Sequence, residues 1–297
     1  MKVPGATLRY EVRGGGPVLL LVPGGAGDAG LYEAMAGPLV AAGFTVVSYD
    51  QRGLSRSPLD EPLDEPGAAA GAAKDQRVDE WREDARAVLA AVVPEGERAY
   101  VFGSSSGAIV ALDLLAAHPD LLHRVVAHEP PLVELLADPS PYRAHFAEVR
   151  ELLRGRGLGA AMARFGEAPD GRRPPAAPDG HDGGLPEAVR PMADRMAANM
   201  PVFLERVLCS FSSSAPDLDG LRAAAGRLVL GLGATTAAQS ADATALTGPA
   251  RRLAELTGAA TVEFPGGHVG CVEHPAEFAA LLARVLLARV LHAPAAP

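Results

Sequence analysis

Lysine is almost missing from this chain: Lys2 and Lys74 are the only two, while arginine, alanine, glycine and proline are plentiful. We read that balance as coding bias rather than function. An excess of positive charge is missing too. Lys and Arg total 27 against 36 Asp and Glu, and a net charge of −9 carries no nucleic-acid footprint. Two cysteines, Cys209 and Cys271, make no disulfide framework and fit a reducing compartment or two indifferent buried thiols. The opening residues MKVPGATLRYEVRGG hold no apolar signal core, and no apolar run approaches bilayer-spanning length. A cytoplasmic protein without a membrane partner is expected. No H-E-x-x-H and no Cys/His cluster occurs. His118, His123 and His128 straddle a helix end, a turn and a strand, so no metal site is expected.

What is present is a strand–helix alternation. Ala6–Val12 alternates like a half-exposed strand, and Val18–Val22 is a continuous apolar run of the kind buried parallel strands carry. Thr45–Tyr49, Tyr100–Phe102, Arg124–Ala127, Arg227–Leu232 and Ala260–Phe264 read as further strands. Helical spacing lies between them at Val78–Val93 and Pro249–Leu256, and a final helix is read at Ala276–Leu291. The order implies an α/β protein with a mostly parallel sheet and helices on both faces. It is interrupted from Pro130 to Leu221, where helical pieces (Tyr142–Leu153, Pro186–Met200, Val202–Phe211) surround a Gly/Pro/Asp-rich stretch. Residues 1–130 and 222–297 therefore read as one core, and 131–221 as a helical lid inserted over its active face. Glu61–Lys74 reads as a low-complexity connection.

The stretch that carries chemistry is AYVFGSSSG, residues 99–107. A short strand runs into Gly-x-Ser-x-Gly and then into a helix, the context of a nucleophile elbow. There the central serine takes a strained backbone conformation, and flanking side chains must vanish so that strand and helix can pass closely. Ser105 becomes the candidate nucleophile, and the Ser106 amide a candidate oxyanion donor. After the Val18–Val22 strand, Gly25, Gly27 and Gly30 spell G-x-G-x-x-G, with Asp50 ending the next strand. On paper that is a dinucleotide fingerprint. A nicotinamide site explains neither the serine elbow nor the late Gly-Gly-His turn, and no Tyr-x-x-x-Lys pair is possible here. The alternative makes Gly24–Ala26 an oxyanion loop with the Gly25 amide facing Ser105. His268 follows the last strand through Gly266-Gly267 and so shares a sheet edge with Ser105, as a base for that serine should.

These residues give the chain its resemblance. LLLVPGG, Tyr49-Asp50-Gln51-Arg52-Gly53, GSSSG and Phe264-Pro265-Gly266-Gly267-His268 with His274-Pro275 resemble the α/β-hydrolase fold family over residues 1–130 and 223–291. The chain departs from it in two places. Pro23-Gly24 stands where the family usually has His-Gly. No carboxylate follows the Arg227–Leu232 strand, where members commonly carry the acid. Glu129, at the end of the strand after the elbow helix, is the preferred acid, a position that one branch of the family uses, with Asp242 the alternative. Asp28 and Asp50 read as a helix cap and a turn brace. The resemblance implies a cofactor-free serine hydrolase acting on a small to medium hydrophobic ester or lactone. Met196, Met200 and Phe203 are candidates for its pocket, or ordinary lid core. Acyl transfer, perhydrolysis or C–C cleavage on the same residues, and a non-catalytic binding protein, remain open.

Overall fold

The computed structural model describes residues 1–61, 74–173, 190–239 and 243–288. A hairpin of β1 (Lys2–Val3) and β2 (Ala6–Thr7) precedes the main sheet. The sheet contains β3 (Tyr10–Gly14), β4 (Val18–Val22), β5 (Thr45–Tyr49), β6 (Ala99–Ser104), β7 (Leu122–His128), β8 (Leu228–Gly233) and β9 (Ala260–Phe264). Its order is β3-β5-β4-β6-β7-β8-β9, antiparallel only at the β3–β5 edge. The single strand expected over Ala6–Val12 is two. The chain reverses at Gly5, and Ala6–Thr7 pairs back onto Lys2–Val3 instead of running on into the sheet.

Central strands explain the continuous apolar runs. All five residues of β4 are buried because both faces of the strand are covered. On one face α1 (Glu33–Ala41) and α12 (Pro275–Leu287) cover Leu19, Leu21, Phe102 and Val126. On the other, α2 (Val78–Val92) and α3 (Ser106–Ala117) cover Leu20, Val101 and Val125. Each such side chain withdrawn from water stabilises the fold by roughly 1.5–3 kcal/mol before the entropy of ordering it.

Between β7 and β8 the described residues form helices and turns: α4 (Ser140–Arg156), α5 (Leu158–Phe165), α6 (Arg190–Val202), α7 (Leu208–Ser212) and α8 (Leu218–Ala223). Where one helix was expected over Val202–Phe211, a π turn at Phe203–Val207 leads into α7. Pro201 lies just ahead of it, within α6, and lacks the N–H that a regular α-helix uses there. Trp81 of α2 meets Phe211 of α7 edge-on, ring centroids 4.7 Å apart, which ties this insert to the sheet's cover. After β8 come α9 (Thr236–Gln239), α10 (Ala243–Thr257) and the short α11 (Gly270–Glu273). Helix α10 begins ahead of Pro249, which sits inside it. No described helix is long and apolar enough to cross a membrane.

Candidate active site

Parallel strands deliver their C-terminal ends to one edge, and the order β6-β7-β8-β9 sets four such ends side by side. Ser105 follows β6 with φ 54° and ψ −126°, a left-handed conformation rare for a side chain larger than glycine. Its amide donates to the His128 carbonyl of the neighbouring strand at 2.9 Å, which holds the elbow open. A Cβ on Gly103 would overlap the Gly107 carbonyl, and one on Gly107 the Val22 carbonyl, so both glycines are sterically required.

Of the three adjacent serines, two have committed hydroxyls. Ser104 Oγ pairs with the Tyr32 hydroxyl at 2.8 Å, and Ser106 Oγ accepts the Gly25 N–H at 2.9 Å. Ser105 Oγ has no partner among the described residues. The Gly25 contact corrects one expectation. In this structure that amide points at the Ser106 hydroxyl rather than into open space over Ser105.

Glu129 immediately follows β7, also at positive φ (46°), and is wholly buried. Its Oε2 lies 2.8 Å from His268 Nδ1. Its Oε1 accepts the Gly233 N–H at 2.8 Å and the Thr236 hydroxyl at 2.6 Å. Burial pushes this carboxyl up, but the His268 hydrogen bond, the neighbouring His128 and His268, and Thr236 outweigh it, so the net shift is downward. An ionised carboxylate only accepts, which puts a proton on Nδ1 and leaves Nε2 as the nitrogen turned away from Glu129. The turn without a carboxylate after β8 thus supplies Thr236 and an amide to anchor Glu129 from the next strand. Asp242 lies outside the described residues.

Ser105, Ser106, Thr236 and His268 line a cavity of about 400 Å³ whose far walls come from the insert. Phe146, Phe165, Phe203, Leu208 and Phe211 make those walls apolar. Phe203 is where it was expected. Met196 and Met200 do not line the cavity. Helix α6 turns Arg195 and Asn199, four residues apart, toward the core, and Met200 packs against the larger core cluster. Asn199 Nδ2 donates to the Ala26 carbonyl at 2.9 Å, and Arg195 pairs with Asp28, so the insert grips the loop that carries Gly25. Neither contact was visible in the sequence, because nothing local marks which helix face meets a loop 170 residues away.

Asp28 caps the turn that precedes α1, accepting from the Gly30 N–H, and Asp50 accepts from the Ala29 N–H and from Arg56. Cys271 is buried, and that burial pushes its thiol up to about 12, so no thiolate competes with the serine. Among the described residues no cluster of His, Cys, Asp and Glu could hold a metal ion.

A seven-stranded, mostly parallel sheet with a serine at a strained strand–helix elbow defines the α/β-hydrolase fold, and the chain is an α/β-hydrolase-fold protein. Residues 16–156 match the family described as Serine aminopeptidase, S33. The chain is 44% identical over 136 residues to a Bacillus subtilis (strain 168) protein named uncharacterized hydrolase YraK, covering 46% of this chain and 45% of that one. It is 30% identical over 127 residues to a zearalenone hydrolase of Bionectria ochroleuca, covering 43% and 44% of the two chains. The matched segment spans less than half the length of these relatives. A thermophilic esterase from Thermogutta terrifontis superposes with a TM-score of 0.66 at 17% identity, over 94% of this chain and 92% of its own. The enol-lactonase from Burkholderia xenovorans LB400 superposes with a TM-score of 0.62 at 18% identity, over 95% and 96%.

Proposed function

We propose that the protein is a serine hydrolase that cleaves small to medium hydrophobic esters or lactones through an acyl-enzyme. The observation that carries this reading is the 2.8 Å Glu129–His268 contact beside a cavity into which Ser105 brings an uncommitted hydroxyl. Ser105 Oγ attacks the carbonyl carbon as its proton passes to His268 Nε2. Glu129 holds the imidazole in the tautomer with a free Nε2 and stabilises the imidazolium that forms. The negative charge that develops on the carbonyl oxygen is met by the Ser106 N–H, and by the Gly25 N–H once the Ser106 hydroxyl rotates off it. Collapse breaks the C–O bond, and the leaving alcohol takes the proton from Nε2. Water, deprotonated by the same histidine, then releases the acid and restores Ser105.

Every step uses side chains and backbone amides of this chain, and water. Both cysteines are free thiols, in keeping with a reducing, cytoplasmic setting as part of the same proposal. The apolar walls favour hydrophobic substrates, and the hydrolase names among the relatives agree with the reaction class. Release of 4-nitrophenol from 4-nitrophenyl butyrate tests the reading. Turnover by the wild type, and its loss in Ser105→Ala with an unchanged melting temperature, is expected. Full activity in Ser105→Ala would overturn it.

A further inference from the structure

Most polar side chains that line the cavity are already engaged. Thr236 donates to Glu129, Ser106 accepts from Gly25, and Ser212 Oγ donates to the Leu208 carbonyl at 2.6 Å. Glu273 accepts the Gly267 N–H at 2.7 Å, and Glu167 pairs with Arg173 at 2.9 Å and Arg164 at 3.6 Å. Apart from Ser105 and His268, this leaves His145.

His145 sits on α4, in the wall contributed by the insert, and is only 3% exposed. Nδ1 is completely buried without a hydrogen-bond partner. Nε2 has no partner among the described residues either, and it is the ring nitrogen that a ligand in the cavity can reach. A buried polar group without a partner asks for an explanation. Here the ring lies against Phe146, centroids 5.4 Å apart, on the aromatic side of the same cavity that holds Ser105. Burial, aided by nearby Arg164 and opposed by Glu148 and Glu167, lowers its pKa to about 4. At neutral pH the ring is therefore uncharged, with one N–H donor and one lone pair. Only Nε2 is open to a ligand, and a hydroxyl, which both donates and accepts, pairs with it in either tautomer. A ligand carboxylate would instead meet Glu167 on the same wall.

We propose that His145 is a recognition residue for a hydroxyl carried by the substrate remote from the bond that Ser105 attacks. The substrate class is then an ester or lactone whose apolar, ring-sized body bears an alcohol or phenol at its far end. This rests on the hydrolase reading only for which end of the ligand lies at Ser105. The aromatic walls hold the body, and the hydroxyl pairs with the His145 Nε2 that the protein leaves free. Sites built to hydrogen-bond a substrate hydroxyl reject analogues that lack it, because their own polar group then stays unpaired.

The test uses Ser105→Ala protein, which removes turnover, and two probes, methyl 3-(4-hydroxyphenyl)propanoate and methyl 3-phenylpropanoate. Calorimetry should give about tenfold tighter binding of the hydroxylated ester. Adding His145→Leu should bring the two affinities within about twofold, whereas His145→Gln, which keeps a donor and an acceptor, should retain part of the preference. The melting temperature of His145→Leu should not fall, since no internal hydrogen bond is lost. Equal binding, no binding of either ester, or an undiminished preference in His145→Leu overturns the proposal. Wild-type turnover of the same esters separates the two claims. Turnover without preference leaves the hydrolase reading and removes this one, and preference without turnover does the reverse.

Discussion

The sheet edge and the insert wall face each other across one cavity, and they are built differently. At the edge, each group proposed to react is positioned by strand geometry: Ser105, Glu129 and His268 follow β6, β7 and β9, and the backbone at Ser105 and Glu129 is held at positive φ. Glu129 alone is held by an amide, a hydroxyl and an imidazole. On the insert side the groups come from helices α4 and α5, a π turn and α7, and their positions depend on how those pieces pack. Rigid strand ends suit bond-making, where small misplacements are costly, whereas a wall that sorts substrates can be assembled from packed side chains.

The contrast breaks first at Glu129. If the edge works as a unit, Glu129→Gln keeps the shape and removes the charge beside His268. Loss of the acid in such an arrangement costs about 10⁴ in kcat. Asp242→Asn should stay within about twofold, and steady-state kinetics on one aryl ester reads both. A severe loss from Asp242→Asn beside a mild one from Glu129→Gln would move the acid off the strand end.

The next effect concerns what lies beneath the edge. His128 is buried with both nitrogens unpartnered, packed against Phe264 and Phe278, and its pKa is pushed down to about 4 by burial, with Glu129 opposing and His268 assisting. The unfolded ring, with a pKa near 6.5, takes up a proton that the folded ring refuses. Stability is therefore full above about pH 6.5 and falls as pH drops toward 4. The loss is on the order of 3 kcal/mol for this ring. His128→Phe should flatten the fall of melting temperature between pH 6.5 and 4. An unchanged slope would show that His128 does not drive it.

The smallest effect is expected at Cys271, three residues past His268. It packs with the α1–α12 face of the core, and its thiol stays protonated. Cys271→Ala should keep kcat within about threefold while lowering stability by roughly 1 kcal/mol for the small cavity it leaves. Complete inactivation of a folded Cys271→Ala protein would place a nucleophile where the account has none.

The same contrast explains what the sequence made legible. A strand-end position can be read from a short apolar run and the residue that stops it, which is why Ser105, Glu129 and His268 meet at one edge as their spacing implied. The sequence puts the Gly25 amide on the loop after β4 but could not reveal that Ser106 Oγ would engage it. Met196 and Met200 were chosen because they are apolar and lie in the insert. Which side of α6 meets the rest of the molecule is decided by Arg195 and Asn199 reaching Asp28 and Ala26, a long-range contact that helical periodicity does not encode. His145 was illegible for the same reason. It sits beside Phe146 on an otherwise ordinary amphipathic helix, and only tertiary packing leaves it unpaired.

In the proposed mechanism, Ser105 is the group that the sheet edge activates through His268 and Glu129. Reaction with a fluorophosphonate, followed by peptide mapping and by the rate of labelling, tests it most directly. A single adduct on Ser105 in the wild type, forming at least a hundredfold more slowly in Glu129→Gln, is the predicted result. An adduct on Ser104 or Ser106, or equal labelling rates in the two proteins, would contradict it.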